Sequence, residues 1–436
     1  MAEDKIWDLI VIGGGASGMC AAISYQKTIC STSYDLGDVL ILEKNDRVGK
    51  KVLATGNGRC NLSNQDMSMT HFHSHRDDFP SCVMRHIGQG EVLSFLSGIG
   101  IFAVSEGEKM FPMSKQSSSV VDAFRFALDE LGIEVETCSI VEELKVLEAI
   151  GSKKLFRILL QDGRKFFAKA VILACGGACA PALGTTGDGY RLLASLGHKV
   201  YAPKPSIVQI VTDSSQTRSL NGLKVECELS LLCEGKIIAN HYGEVLFTDY
   251  GLSGPAALQV SGEISRRVRK GQLTVPMQIS LCLFDRDTIQ RLIKECKNRM
   301  ETFPTRPIEQ LLISILPAKI SAVLLKQALN RPLSLPISTL SDADLERIMN
   351  MLQAWTFKVT GTKSLEFAQT TIGGASCDEF DPDTMESSLI PNLYGCGEVL
   401  DVDGDCGGYN LQWAFSSGIL AGRSASLRLL EEQHAD

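Results

Sequence analysis

The sequence predicts an α/β fold in which a Rossmann-type domain is interrupted by an inserted β-rich plus helical domain. Three observations support this prediction. An apolar strand at residues 8–12 runs directly into a glycine-rich turn and a helix-permissive segment at 19–27. Short alternating apolar runs follow Pro203 and Pro205, and helical periodicity comes after them. From Ala368 onward the glycine-rich texture of the first residues returns.

The turn after the first strand has the spacing G-x-G-x-x-G and is formed by Gly13, Gly15 and Gly18. Gly13 allows the tight turn, Gly15 lets the backbone approach a pyrophosphate, and Gly18 lets the next helix pack closely on the strand. The unpaired N–H groups at the helix start, which includes Ala16 and Ser17, would face the phosphates. The segment therefore predicts a bound dinucleotide, and a glycine turn without a ligand is the disfavoured alternative.

An acidic residue, Glu43, closes the next predicted strand at 38–42. In dinucleotide-binding units a carboxylate at this place accepts hydrogen bonds from a ribose. Its separation from Gly18 exceeds the usual spacing of about 20 residues. We attribute the excess to a polar loop at 31–37.

A second glycine-rich segment lies between Lys44 and Asn61. Glycine beside an arginine and two asparagines is typical of a loop that wraps a phosphate or a ring edge, rather than of a core element. The candidate binding residues here are Lys44, Lys50, Thr55, Gly56, Asn57, Gly58, Arg59, Cys60 and Asn61.

The remainder of the first domain reads as one helix followed by strands. Residues 120–131 have helical spacing and 133–146 are strand-like, while 155–160 and 165–168 form a predicted hairpin. A buried strand at 170–174 then leads into a second glycine turn, for which tight packing without a ligand is the alternative. The candidate binding residues of this part are Val141, Gly176 and Gly177.

The middle of the chain has the alternation of antiparallel strands and then the periodicity of helices. The predicted elements are strands at 207–211, 225–232 and 274–283, and helices at 308–316, 320–329 and from near Ser341.

The end of the chain combines a strand, a glycine turn, a D-x-D-G-x-x-G-G-Y-N segment and a helix from Leu411. No second strand-GxGxxG-helix unit occurs in the sequence, so a single dinucleotide is predicted to occupy a full Rossmann site. The candidate binding residues are Gly397, Glu398, Asp401, Asp403, Gly408, Tyr409, Asn410 and Leu411.

This arrangement resembles the two-dinucleotide-binding flavoproteins. In those folds the C-terminal Asp approaches the pyrophosphate and ribityl region, and the last helix points its positive end at the N1–C2 edge of the flavin. The resemblance implies bound FAD, with these roles on Glu398, on Asp401 or Asp403, and on the helix start at 408–411.

Four motifs are more specifically similar to the BaiN-like flavoproteins, a family that includes aminoacetone oxidase and a proposed bile-acid 4,6-enone reductase. They lie at 55–61, 188–198, 251–255 and 397–410, so the resemblance spans nearly the whole chain. It implies FAD and an insertion between two parts of the flavin domain. Asn57 departs from the family pattern, which usually has glycine there.

These observations divide the chain into three parts. Residues 1–200 and 361–436 are predicted to form the two parts of the FAD-binding domain. Residues 201–360 are predicted to form the inserted substrate-side domain, β-rich over 201–285 and helical over 286–355.

Composition narrows the class of protein. The chain has 43 Lys and Arg against 51 Asp and Glu, and this formal charge of −8 argues against a nucleic-acid-binding surface. The N-terminus has no apolar signal-peptide core, and the most apolar later stretch, 311–325, contains Pro317 and is too short to span a bilayer. A cytoplasmic enzyme that acts on a small molecule, away from membranes, is therefore expected.

Cysteine and histidine patterns do not predict a metal site. The 14 cysteines are scattered without a C-x-x-C pair, so buried thiols are expected. The alternation His71-x-His73-x-His75 lacks a matching carboxylate or thiolate cluster in the sequence and is interpreted as a solvated loop.

The sequence assigns no catalytic residue. Cys60 has no partner thiol and is expected to pack against the flavin or its loop rather than to act in redox chemistry. The roles of Arg59 and Lys109 stay open. Each could orient an anionic substrate or a nicotinamide phosphate, pair with an FAD phosphate, or remain a solvated charge.

Three functions stay open. The preferred hypothesis is a reductase in which NAD(P)H binds transiently, reduces FAD, and the flavin reduces an activated C=C bond of a small apolar, steroid-like or bile-acid-like enone. The alternative is an amine oxidase that produces hydrogen peroxide. The remote alternative is a flavin-dependent, RNA-associated protein. Substrate, redox partner, catalytic acid and oligomeric state are not determined by the sequence.

Overall fold

The computed structural model describes residues 5–32, 34, 36–148, 154–269 and 272–434. The chain divides into two compact units. Unit 1 comprises Met1–Lys204 and Gln369–Asp436, and unit 2 comprises Pro205–Ala368. The insertion was expected at 201–360, whereas the compact middle unit begins and ends slightly later in the sequence. The ligand-binding roles given to the two parts stay predictions.

The strands follow one another along the described chain. They are β1 Ile6–Ile12, β2 Val39–Leu42, β3 Ser63–Asn64, β4 Phe72–His73, β5 Ala103–Glu106, β6 Lys109–Pro112, β7 Glu134–Glu136, β8 Val141–Glu148, β9 Lys154–Leu160, β10 Lys165–Leu173, β11 Val200–Ser206, β12 Ile210–Thr212, β13 Lys224–Cys233, β14 Lys236–Phe247, β15 Gly251–Ser253, β16 Val268–Arg269, β17 Gln272–Leu273, β18 Met277–Cys282, β19 Trp355–Thr362, β20 Thr370–Ala375, β21 Leu393–Gly395 and β22 Asp403–Gly404.

The described residues also form α-helices. They are α1 Ala16–Cys30, α2 Lys50–Ala54, α3 Phe79–His86, α4 Gln89–Ser97, α5 Ser117–Glu130, α6 Asp188–Ser195, α7 Ser214–Thr217, α8 Pro255–Arg266, α9 Arg286–Thr302, α10 Ala318–Leu329, α11 Asp342–Gln353 and α12 Tyr409–His434. Among the described residues, no helix has the length and apolarity that crossing a membrane requires.

Unit 1 is built on a sheet with strand order β7-β2-β1-β10-β9-β8, and β21 also pairs with β10. The strands β7, β2, β1, β10 and β21 run parallel to one another, whereas β9 pairs antiparallel with β10. Six of the seven residues of β1 are buried, as expected for a central strand covered on both faces. The predicted Rossmann-type α/β fold is confirmed.

The strand β10 joins two segments that the sequence presents separately. Its first residues, 165–168, pair antiparallel with β9 as the predicted hairpin requires. The same strand runs parallel to β1 from Phe167 to Leu173, so the predicted buried strand at 170–174 is its continuation. The strand-like region 133–146 is instead divided into β7 and the start of β8, which lie on opposite edges of the sheet.

The helices α1 and α12 cross at a very close distance. A Cβ atom on Gly418 would overlap the carbonyl oxygen of Ser17, and one on Gly422 would overlap that of Ala21. The four-residue spacing places both glycines on one face of α12. Small residues therefore allow the last helix to lie directly against the helix that follows the glycine turn.

Unit 2 contains a closed barrel with strand order β12-β15-β14-β13-β18-β19. Its core includes Phe247, Trp355 and Phe357, whose ring centroids lie 5.0 to 5.9 Å apart. The helices α10 and α11 were expected at 320–329 and from near Ser341, in agreement with the structure. The strand β14 was not predicted.

The predicted helix at 308–316 is wrong. The structure has a single 3₁₀ turn at Ile308–Gln310, followed by irregular turns. Leu311 and Leu312 are buried, which explains the helix-like apolar pattern. Ser314 adopts a φ of +63°, and this left-handed conformation cannot continue a right-handed helix.

The first turn of α11 is fixed by Asp344. Its carboxylate accepts hydrogen bonds from the Ser341 backbone N–H at 2.8 Å and from Arg331 at 2.7 Å, and it also pairs with Arg347. The backbone hydrogen bond from Ser341 and the neighbouring arginines hold the pKa of this carboxyl well below its usual range. A depressed pKa stabilises the folded state above the unfolded-state pKa, and this contribution is lost as the pH falls through the folded-state value.

We therefore expect Asp344→Asn to lower the free energy of unfolding by about 2 kcal/mol at neutral pH. The difference should shrink below about pH 4, where the unfolded carboxyl begins to bind protons. Urea unfolding from pH 7 to pH 3.5 measures it. Asp342→Asn, at an exposed position of the same helix, is the control and should have little effect. If Asp344→Asn lowered the free energy of unfolding equally at pH 7 and pH 3.5, the stabilising role of the ionised Asp344 carboxylate would be contradicted.

Candidate functional site

The three glycines of the first turn are required for different reasons. Gly13 has a φ of +110°, and a Cβ there would overlap the Ala174 carbonyl oxygen. A Cβ on Gly18 would overlap the carbonyl oxygen of Gly13. Gly15 has no atom within 4 Å of its Cβ position. Packing explains Gly13 and Gly18, whereas the space in front of Gly15 is left open.

This open space belongs to a cavity at the N-terminus of α1, and unit 1 alone lines it. Gly15 is the N-cap of α1, and the first turn of this helix contains no acidic residue that would repel an anion. Of the predicted binding residues, those that line the cavity are Gly13, Gly15, Ala16, Ser17, Glu43, Lys44, Lys50, Thr55, Val141, Gly176, Glu398, Asn410 and Leu411.

The other predicted binding residues lie outside the lining of this cavity. They are Gly18, Gly56, Asn57, Gly58, Arg59, Cys60, Asn61, Gly177, Gly397, Asp401, Asp403, Gly408 and Tyr409. Several residues that line the cavity are not among the predicted binding residues, although most of them lie close to predicted ones in the sequence or follow Ala368. These are Gly14, Asn45, Gly49, Lys51, Val52, Cys175, Thr185, Asp188, Gln369, Thr370 and Trp413.

Glu43 lies at the end of β2 and is buried beside the glycine turn. Its Oε2 accepts a hydrogen bond from the Gly14 N–H at 2.8 Å, and its Oε1 accepts from the backbone and side-chain amides of Asn45 at 2.7 Å. The carboxylate therefore fixes the turn as well as lining the cavity. An ionised carboxylate has about four acceptor positions, so capacity for a ribose hydroxyl is left.

Three lysines line the cavity, and two of them have carboxylate partners. Lys44 contacts Asp188 at 2.6 Å, and Lys51 contacts Glu398 at 2.7 Å. Within the described ranges Lys50 has no ion-pair partner, and its ammonium lies 3.4 Å from the Asn45 side-chain oxygen. Lys50 is thus the cation of this set whose charge is open to an anionic ligand.

The pair of Lys51 and Glu398 joins α2 to the C-terminal glycine turn. Glu398 also accepts the Thr371 backbone N–H at 2.7 Å, and Lys51 contacts the Cys179 sulfur at 3.2 Å. Burial lowers the pKa of the Lys51 ammonium, but the adjacent Glu398 carboxylate more than offsets burial and raises this pKa above its usual value. The lysine is therefore a fixed positive charge in the cavity wall.

The loop Thr55–Asn61 contributes little to the cavity wall. Asn57 adopts a φ of +54°, a left-handed conformation that asparagine tolerates better than most residues, so it can replace glycine here. Arg59 pairs with Glu106 and stacks on Phe111 at 4.2 Å, rather than reaching the cavity. Burial raises the pKa of the Cys60 thiol to about 11, which keeps it in the unreactive thiol form at neutral pH.

Hydrogen bonds between the start of α12 and the segment that precedes it hold this segment in place. The Asn410 side chain accepts the Gly404 N–H at 2.9 Å and donates to the Gly404 carbonyl at 2.7 Å. Asp403 is buried, and so is Asp401, whose carboxylate contacts the ring of His75. The predicted contact of these two aspartates with a cofactor stays a prediction.

The alternating histidines, interpreted from the sequence as a solvated loop, pair with carboxylates of unit 1. His71 contacts Asp405 at 2.9 Å and Asp66 at 3.1 Å, and His73 contacts Asp405 at 2.9 Å. Burial lowers the pKa of His71, but the two carboxylates more than offset burial and raise it. Among the described residues, no group of three or more His, Cys, Asp or Glu side chains has the arrangement of a metal site.

The cavity fits a ligand that carries phosphates and hydroxyl groups. A helix N-terminus, a lysine that has no ion-pair partner among the described residues, and a carboxylate with spare acceptor capacity all line it. In addition, Thr370 is 7% exposed and lines the cavity, yet its hydroxyl has no hydrogen-bond partner among the described residues. A buried hydroxyl without a partner is costly and is satisfied by a polar ligand. These features suit FAD.

Comparison with known proteins gives a match over nearly the whole chain. A family model described as the HI0933-like protein Rossmann domain matches residues 7–424. A 3-dehydro-bile acid delta(4,6)-reductase from Clostridium scindens is 34% identical over 418 residues, which cover 96% of this chain and 98% of that protein. The broader family is thus established, and the narrower BaiN-like resemblance stays a prediction.

Two further relatives are named ribosomal RNA dihydrouridine synthase. The protein from Haemophilus influenzae is 28% identical and the one from Escherichia coli 26% identical. The matches cover 96% and 94% of this chain, and 98% and 96% of those proteins. Because these names refer to RNA, the acidic net charge does not exclude RNA as a partner.

Among solved structures, a 3-ketosteroid delta1-dehydrogenase from Sterolibacterium denitrificans is similar, with a TM-score of 0.52 and 14% sequence identity. The alignment covers 97% of this chain and all of that chain. At this identity the likeness supports the fold alone.

Proposed function

The chain belongs to the HI0933-like protein Rossmann domain family, and from this premise we propose that it is an FAD-dependent oxidoreductase. Its proposed reaction is the NAD(P)H-dependent reduction of a C=C bond conjugated to a carbonyl group in a small apolar ketone, such as a steroid-like or bile-acid-like enone. The observation that carries the proposal is the 34% identity to a bile acid reductase, which extends over both units.

The residues of the cavity suit this role. The N-terminus of α1 at Gly15 would take the pyrophosphate, Glu43 a ribose hydroxyl, and Lys50 a phosphate charge. FAD supplies the hydride chemistry when bound. The protein has to bind and orient FAD and the substrate and to provide suitable electrostatics around them. Lys51, held by Glu398, places a fixed positive charge in the same wall.

The names of the relatives refer to one kind of chemistry. A delta(4,6)-reductase of a 3-dehydro steroid reduces C=C bonds conjugated to a ketone. Forming dihydrouridine from uridine reduces a C=C bond conjugated to a ring carbonyl. The proposed bond type is thus common to both, while the molecule that carries it differs. RNA is therefore the second candidate substrate, supported by the two synthase relatives.

Anaerobic stopped-flow spectroscopy tests the proposal. Mixing the purified FAD-bound protein with NADH or NADPH should bleach the flavin, and a conjugated steroid enone should then restore its oxidised spectrum. A saturated ketone of the same skeleton is the control and should leave the flavin reduced. Bleaching by an amine, with neither nicotinamide effective, would favour the amine oxidase. Restoration by unmodified ribosomal RNA but not by the enone would favour the RNA substrate.

A further inference from the structure

His75 and Asp401 form a tightly held pair within unit 1. The Asp401 Oδ2 accepts the His75 backbone N–H at 2.9 Å and lies 2.7 Å from the ring Nδ1. The aspartate side chain is only 4% exposed, whereas the histidine side chain is 55% exposed. A buried carboxylate therefore orients an imidazole whose other edge faces outward.

A second contact fixes the plane of the ring. The imidazole stacks on Tyr201 with a centroid distance of 3.8 Å and an interplanar angle of 8°. Tyr201 is itself held, because the Lys199 ammonium donates to its hydroxyl at 3.0 Å. The ring of His75 is thus fixed both in direction and in plane.

The outward nitrogen of this ring is available. In the part of the chain that the structure describes, His75 Nε2 has no hydrogen-bond partner. Both ring nitrogens of His71 and of His198 are hydrogen-bonded by comparison. A carboxylate-oriented imidazole with one free nitrogen is the arrangement that proteins use for proton transfer.

The aspartate of the pair is adjacent in sequence to a residue of the cavity wall. Val402, the residue after Asp401, lines the cavity. The strands β4 and β22 pair His73 with Asp403, so the segment that carries His75 runs alongside the segment that leads into α12. The backbone that carries His75 is thus paired with a segment that contributes Val402 to the cavity wall.

We propose that His75 is the proton donor for the reduced double bond, with Asp401 as its positioning residue. This inference rests on the proposed enone reduction. The β-carbon receives a hydride, which carries both electrons and originates from NAD(P)H. The α-carbon receives the proton of the His75 imidazolium, so the Nε2–H bond breaks and a C–H bond forms. Solvent returns a proton to the same nitrogen after the product has left, because the histidine side chain is 55% exposed.

The main test compares His75→Asn with the unchanged protein. The asparagine amide can still donate to Asp401 but cannot transfer a proton at neutral pH. The flavin content, the thermal unfolding temperature and the rate of flavin bleaching by NAD(P)H should stay unchanged. The rate of flavin reoxidation by the enone should fall by about 10²-fold to 10⁴-fold. His86→Asn is the matched control, because His86 pairs with exposed Asp383 and should show no such loss.

Chemical rescue separates proton donation from a structural role. In His75→Ala, added imidazole should restore part of the enone-dependent reoxidation, whereas it should not change His86→Ala. Normal reoxidation in His75→Asn, or a slow His75→Ala protein that imidazole does not rescue, overturns the assignment of His75 alone. Failure of enones to reoxidise the unchanged protein overturns the proposed function, and with it this role for His75.

Discussion

Gly18→Ala is expected to destabilise the flavin-free protein by about 3 kcal/mol or more. The added methyl group would overlap the carbonyl oxygen of Gly13, which belongs to the turn itself and cannot rotate away. Relief requires α1 to move off the turn, and α1 is also held by its close crossing with α12. The cost is therefore that of separating packed elements rather than of moving one side chain.

Gly15→Ala is the matched comparison at the same turn. Gly15 has a φ of −80°, which alanine adopts readily, and open space in front of it. The flavin-free protein should change in stability by no more than about 1 kcal/mol. The methyl group would, however, occupy the space proposed for the pyrophosphate, so FAD should bind at least about tenfold more weakly, which corresponds to about 1.4 kcal/mol.

Urea unfolding of the flavin-free variants and fluorescence titration with FAD measure the two effects separately. The expected pattern is a crossover, in which Gly18→Ala loses stability and Gly15→Ala loses affinity. Unchanged FAD affinity in Gly15→Ala would show that the phosphates bind elsewhere. Unchanged stability in Gly18→Ala would contradict the close packing of α1 on the turn.

Glu398→Ala should have the second largest effect, a loss of about 3 kcal/mol in the free energy of unfolding. It leaves the Lys51 ammonium without its carboxylate and the buried Thr371 N–H without its acceptor. The expected loss is below that of a fully buried pair, because the Lys51 and Glu398 side chains are 26% and 18% exposed.

Removing the charges of both Lys51 and Glu398 distinguishes the cost of an unpaired charge from a simple loss of contacts. The double variant Lys51→Met with Glu398→Gln should be more stable than Glu398→Ala, because no charge is left unpaired and the introduced amide oxygen can still accept the Thr371 N–H. Glu106→Ala breaks the exposed pair with Arg59 and should leave thermal unfolding nearly unchanged. A double variant less stable than Glu398→Ala would contradict the unpaired-charge explanation.

Prediction from the sequence succeeded where local chemistry is decisive. The strand-turn-helix at Gly13 to Gly18 and the hairpin of β9 and β10 depend on neighbours in sequence. It failed at 308–316, where buried leucines give a helical pattern but Ser314 is left-handed. The apolar pattern records which side chains are buried, and it does not record the backbone path that buries them.

The sequence by itself determined the class of fold, the position of the glycine turn and the residue types suited to a dinucleotide. Only the tertiary structure decided that Lys50 lacks, among the described residues, the carboxylate partner that Lys44 and Lys51 have, and that Asp401 orients His75. The physical reason is range. A turn is set by the φ and ψ angles of adjacent residues. Lys44 and Asp188, in contrast, lie more than 140 positions apart in the sequence. The pairs of Lys51 with Glu398 and of His75 with Asp401 are each separated by more than 300 positions.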